Sequence, residues 1–137
     1  MIDMDYHAML FAGCTLLVIL AGLAYRYFSG PRPPGRATIS LKWHCLKVNK
    51  PLCEALGYDA KEFLRMDLQR IIHPEDLHKD IPYIQQVISG QQEQYTTQQR
   101  YLDKSGNLRA MRAAFSLVRD KKNVPHYFVI QLEPLLV

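Results

Sequence analysis

Cysteine is scarce in this chain: three in 137 residues, Cys14, Cys45 and Cys53, with no CxxC pair. That scarcity excludes a disulfide scaffold, a Cys-rich zinc module and a c-type haem attachment site. A dominant charge is also missing. Lys and Arg number 17 against 13 Asp and Glu, a net charge of +4, and the basic residues form no stripe. No nucleic-acid partner is expected from that pattern. The sequence has no Gly-rich phosphate loop, no nucleophile–base pairing and no three spaced metal ligands, so it does not read as an enzyme or a metal protein. Disorder throughout is excluded by an apolar content of 48%.

Charge is absent altogether from Ala8 to Tyr25. Extended back to Tyr6, that run makes a helix of about 30 Å, the thickness of a bilayer's hydrocarbon core. The expectation is an N-terminal transmembrane anchor over 1–28, with residues 6–27 in the lipid and Tyr6, Tyr25 and Tyr27 in the aromatic belts. Gly22-Leu23-Ala24 resembles a signal-peptide cleavage site, but Asp3 and Asp5 stand where a signal peptide carries basic residues. Arg26, Arg32 and Arg36 follow the run. The positive-inside rule then puts the N-terminus outside and the remainder in the cytoplasm, at the inner (plasma) membrane. Ala8 and Ala12 give one small-xxx-small spacing, which allows a homodimer, although small residues are common in any anchor.

Three prolines and two glycines in Ser29–Arg36 forbid a helix there. Residues 29–37 read as a semi-rigid linker of roughly 25 Å, a tether that interrupts any mechanical relay. Arg32 and Arg36 are placed to touch anionic lipid heads.

Residues 38–137 read as an α+β domain. A β-leaning stretch surrounds Trp43 within 39–48. Asn49-Lys50-Pro51 then starts a helix that Gly57 stops. Asp59 and Glu62 form a capping box with Tyr58 and Phe63 as its hydrophobic staple. A short apolar piece runs from Leu68 to Ile72, and Ile81, Ile84, Val87 and Ile88 mark a longer helix. After Gly90 the period becomes two. Strands are expected over Gln94–Leu102, along Met111, Ala113, Phe115 and Leu117, and over Tyr127–Leu132.

Val48-Asn49, Leu56-Gly57-Tyr58, Glu62-Phe63-Leu64 and His73-Pro74-Glu75-Asp76 resemble the front half of a PAS domain. Gln99-Arg100-Tyr101, Lys104-Ser105-Gly106 and Leu117-Val118-Arg119-Asp120 resemble its back half, and the match runs in order from Thr38 to Glu133. The resemblance implies a five-stranded antiparallel sheet with helices on one face. It also implies a family that senses ligands, binds cofactors or mediates protein contacts.

Departures from the family pattern narrow the cofactor. Flavin photosensors of that family carry a Cys just ahead of the position of His73, where this chain has Leu68-Gln69-Arg70-Ile71-Ile72. Photoactive yellow proteins use a Cys between the long helix and the sheet, and no Cys follows Cys53. Haem sensors place an axial His on the long helix. His78 is the one candidate here, offset by about one residue, a rotation of ~100°. No cofactor is therefore expected. His73 resembles a structural position, with Asp76 capping the helix that follows. Cys45 and Cys53 read as small hydrophobes rather than redox groups.

Two functions fit these readings. One is a membrane-tethered, non-catalytic sensor whose apolar pocket is lined by Leu56, Ile84, Val87, Phe115 and Phe128, residues that also read simply as core. The other is an accessory subunit of a larger membrane complex, with its anchor packed on partner helices. Some 100 residues beyond the linker leave no room for an output domain. A membrane-protein partner is expected in either case.

Overall fold

Period-two alternation beyond Gly90 becomes three strands of one sheet. The computed structural model describes residues 18–21 and 33–135. Its elements run β1 (Gly35–Ser40), β2 (Cys45–Val48), α1 (Lys50–Leu56), α2 (Ala60–Leu64), a 3₁₀ helix (Leu68–Ile71), α3 (Pro74–Ile88), β3 (Gln94–Leu102), β4 (Leu108–Arg119) and β5 (Pro125–Pro134). The strands form one antiparallel sheet in the order β2-β1-β5-β4-β3. Hairpins join β3 to β4 and β4 to β5, while β1 returns beside β5 at the centre.

Local chemistry sets the helix ends. Asn49 Oδ1 accepts the Leu52 N–H at 3.1 Å, and Gly57 closes α1 in the left-handed region at φ 80°. The capping box at α2 is complete, and the Tyr58 and Phe63 rings meet edge-on at 5.4 Å. At α3 the cap is His73, whose Nδ1 accepts the Glu75 N–H at 3.2 Å. Asp76 does not cap. It turns toward β3 and takes three hydrogen bonds from Arg100.

The core lies between the helices and the inner face of the sheet. Phe115 and Phe128 are fully buried and meet edge-on at 6.4 Å. Trp43 differs from expectation: it sits in the β1–β2 turn, not in a strand, with φ at 67°. The turn is held by Trp43 N–H to Ser40 O at 2.9 Å, and the indole lies edge-on to Phe115 at 6.0 Å. Packing of the indole outweighs the backbone cost of a left-handed aromatic residue.

The folded unit begins at Pro33, inside the segment read as linker. Gly35, Arg36 and Ala37 belong to β1. A Cβ on Gly35 would meet Leu52 at 3.0 Å, so glycine here permits β1 to lie against α1. Asn49 fastens the entry, accepting the Arg36 N–H at 2.8 Å and donating from Nδ2 to Pro34 O at 3.0 Å.

Among the described residues, no helix is long and apolar enough to cross a membrane. The anchor expected over 1–28 lies outside the described residues, apart from helical residues 18–21.

Candidate functional site

Helix α3 carries an acid on its apolar face. Asp80, Ile84 and Val87 follow i, i+4, i+7 spacing, and all three are buried. The Asp80 side chain is wholly removed from solvent. An uncompensated carboxylate there would cost several kcal/mol, on the order of the penalty for a buried ion. The facing strand supplies the compensation. Alternation along β3 turns Tyr95, Thr97, Gln99 and Tyr101 inward, at two-residue spacing. Tyr95 OH donates to Asp80 Oδ1 at 2.6 Å and Thr97 Oγ1 donates to the same oxygen at 3.0 Å. Gln99 Nε2 donates to Oδ2 at 2.9 Å, and its Oε1 accepts from Tyr101 OH at 2.6 Å. Lys79 Nζ stands 4.0 Å from Oδ1 at the exposed end.

This cluster is electrically directed. Burial raises the Tyr101 phenol far above its ordinary pKa, and the charges of Asp80 and Asp76 add to the effect. Burial also raises Tyr95, helped by its bond to Asp80. Both phenols therefore remain donors through neutral pH, Tyr95 to the carboxylate itself and Tyr101 to the Gln99 amide that holds it. Tyr83 of α3 stacks on Tyr95 at 5.1 Å and is 44% exposed, so it stands between the acid and solvent. The cluster offers an acceptor of three hydrogen bonds, satisfied internally and lying one aromatic pair from the surface.

A second polar group fixes the start of α3. Arg100 Nη2 and Nε donate to Asp76 at 2.9 and 3.0 Å, and Nη2 stands 3.4 Å from Glu75 Oε2. The His73 N–H donates to Arg100 O at 2.9 Å. These bonds hold Asp76 below the usual carboxylate range, with Arg100 as the main cause. The His-Pro-Glu-Asp motif thus ties α3 to the end of β3.

The residues singled out from the sequence fall as follows. Leu56, Ile84, Val87, Phe115 and Phe128 all lie in the one buried core cluster. Of these, Val87 alone reaches the cleft of about 630 Å³ at the end of α3, shared with Gly90, Glu93, Gln94, Ser116 and Arg119. His78 is exposed. Two residues from Asp80, it is turned about 200° away on the helix, so it faces away from the sheet. The inward position a haem ligand would need belongs to Asp80. Cys45 is buried and Cys53 half-buried; burial pushes both thiols up, the direction of inert cysteines. No group of three or more His, Cys, Asp or Glu that could hold a metal occurs among the described residues.

Sequence reasoning misses Asp80 because it counts the apolar face from Ile81. The signal lies in two periods read together: Asp80 four before Ile84, and polar residues alternating on the strand that follows.

Comparison with known proteins matches this architecture. The profile described as the PAS fold matches residues 46–130. "Probable diguanylate cyclase DgcE" of Escherichia coli strain K12 is 35% identical over 101 residues, 74% of this chain. The chain spans only 9% of that relative's length. A PAS domain from a two-component sensor histidine kinase superposes with a TM-score of 0.63 at 21% identity, covering 86% of this chain and 99% of that one. The PAS-B domain of Drosophila melanogaster Cycle, solved with bound ethylene glycol, gives 0.66 at 13% identity, over 74% and 99%. At these identities the structural likeness concerns the fold.

Proposed function

Because the chain belongs to the PAS fold family, whose domains serve as sensory modules in signalling, we propose that it is a non-catalytic, membrane-tethered sensor. Its sensing element is the α3–β3 interface around Asp80. The carrying observation is the buried carboxylate itself: a ligand or a shift of α3 that disturbs Asp80 must break or replace three hydrogen bonds at once. That makes the interface a discrete element whose state can be read elsewhere. The tether is residues 6–27, with the domain on the cytoplasmic side, supported by the charge asymmetry of Asp3 and Asp5 against Arg26, Arg32 and Arg36. The partner is a membrane protein. The relative named as a diguanylate cyclase supports a nucleotide-cyclase output, carried by that partner or by a longer form of the chain.

A chimera tests the sensing reading. The 101 aligned residues replace their counterpart in the diguanylate cyclase, and cyclic dinucleotide production is compared between the chimera with Asp80 intact and its Asp80→Asn variant. The substitution is expected to change output severalfold while the domain stays folded. Identical output from a folded Asp80→Asn chimera would refute it. Fractionation of the full chain with and without residues 6–27 tests the tether: membrane association is expected to vanish on deletion.

A further inference from the structure

The sheet has two edges, and they are treated differently. The β2 edge is four residues long, carries Lys47, and is covered: the Cys45 N–H donates to Met66 O at 3.3 Å and the Leu68 N–H to Trp43 O at 2.9 Å. Its pairing with β1 is also broken by a register shift between Thr38 and Ile39. These are the usual devices that stop a sheet from adding strands. The β3 edge lacks them along its first six residues. It is nine residues long and pairs with β4 without a register shift. Its first six residues, Gln-Tyr-Thr-Thr-Gln-Gln, contain no charge and no proline.

Which backbone groups point outward follows from Arg100. Its C=O accepts the His73 N–H and its N–H donates to Asp76 Oδ2, so both point away from β4. By the two-residue period the N–H and C=O of Gln98, Thr96 and Gln94 point the same way. Beyond Arg100 the edge is occupied, with Leu102 O accepting from Tyr58 OH at 2.9 Å. Before Arg100, among the described residues, the only hydrogen bond to these outward groups is from the Thr97 hydroxyl to Gln98 O at 3.4 Å. Gln94, Thr96 and Gln98 are all exposed.

We propose that this bare edge pairs with the same edge of a second copy of the chain, antiparallel and centred on Thr96. The sequence is self-complementary in that register. Thr96 faces its own copy, Gln94 faces Gln98, and Tyr95 faces Thr97. All three even positions form the closely hydrogen-bonded type of pair, giving about six backbone bonds across the two-fold axis. Thr opposite Thr and Gln opposite Gln are favourable side-chain pairs. No like charges meet, since Glu93 falls opposite Gln99 and Arg100 opposite Gln92. The two five-stranded sheets become one of about ten strands. This pairing is independent of the sensing role of Asp80.

Site-specific cross-linking of the full chain, in detergent or membranes, tests the register. Cys14 and Cys53 are replaced by Ser, and a short bis-methanethiosulfonate is used. Thr96→Cys is expected to cross-link to itself. Gln94→Cys and Gln98→Cys are expected to cross-link severalfold better as a mixture than either does alone. Adding Thr96→Lys to that mixture puts like charges face to face and should abolish the product, while Trp43 fluorescence and the melting transition stay unchanged. Absence of the Thr96→Cys product, equal yields from single and mixed variants, or cross-linking that survives Thr96→Lys each overturns the proposal.

Discussion

A single carboxylate decides most of what is particular to the α3–β3 interface. Asp80 accepts from two hydroxyls and one amide, all aimed at it from β3. Asn in its place is almost the same size, yet its amide nitrogen must face at least one donor. Asp80→Asn is therefore expected to lower unfolding free energy by about 1–3 kcal/mol, measured by urea titration. Phe115 is the opposite case, governed by volume rather than polarity. It is fully buried against Trp43, Tyr95 and Phe128. Phe115→Ala should cost roughly 3–5 kcal/mol. Trp43, the one tryptophan, packs on that ring, so its emission follows the transition directly.

Among the elements, α3 is tied to the sheet at three points: Asp80 in its middle, Asp76 in its first turn, and the Ile88 carbonyl at its end, which accepts from Arg119 Nη2 at 2.9 Å. The second is pH-sensitive. Arg100 holds the Asp76 carboxyl below its ordinary value, so the folded state favours the ionised form. The stabilisation is present above the ordinary carboxylate pKa of about 3.9 and is lost as pH falls through the lowered folded value. The melting temperature should consequently drop on acidification below about pH 4. In Arg100→Ala that acid limb should be shallower, read by calorimetry from about pH 2 to about pH 6. An unchanged acid limb in Arg100→Ala would place the acid sensitivity elsewhere. The capping box of α2 follows from sequence alone, and Asp59→Ala should cost about 0.5–2 kcal/mol.

For the whole molecule, the question is where the proposed tether ends and the domain begins. Sequence composition runs the linker to residue 37, but Pro34 and Arg36 are already bonded to Asn49, and Gly35 lies against Leu52. Replacing residues 29–32 by a Gly/Ser spacer of equal length should leave both the melting transition and the membrane proteins recovered in a mild-detergent pull-down unchanged. Carrying the replacement through Gly35 should lower stability. A bulkier residue at position 35 is forced into Leu52, and overpacking of this kind costs typically about 1–3 kcal/mol. Loss of the recovered partners on replacing 29–32, with stability intact, would give the linker a specific role beyond tethering.

What the sequence determined was local. The caps at Asn49, Gly57 and Asp59, the strand Gln94–Leu102, and the inward faces of β4 and β5 follow from residue spacing and turn chemistry within a few positions. The family resemblance supplied the five-stranded antiparallel sheet with helices on one face, while the order of its strands came from the structure. Tertiary structure alone decided what depends on distant residues meeting. It turned Asp80 inward against a strand that begins fourteen residues later, and brought Arg100 to Asp76. It also placed Trp43 in a left-handed turn because Phe115 packs there, and left β3 at an edge with the outer backbone of its first five residues bare among the described residues. Polar residues in sequence read as surface. Only packing shows which of them have been buried together, because a buried polar group is tolerated when its partners arrive from elsewhere in the chain.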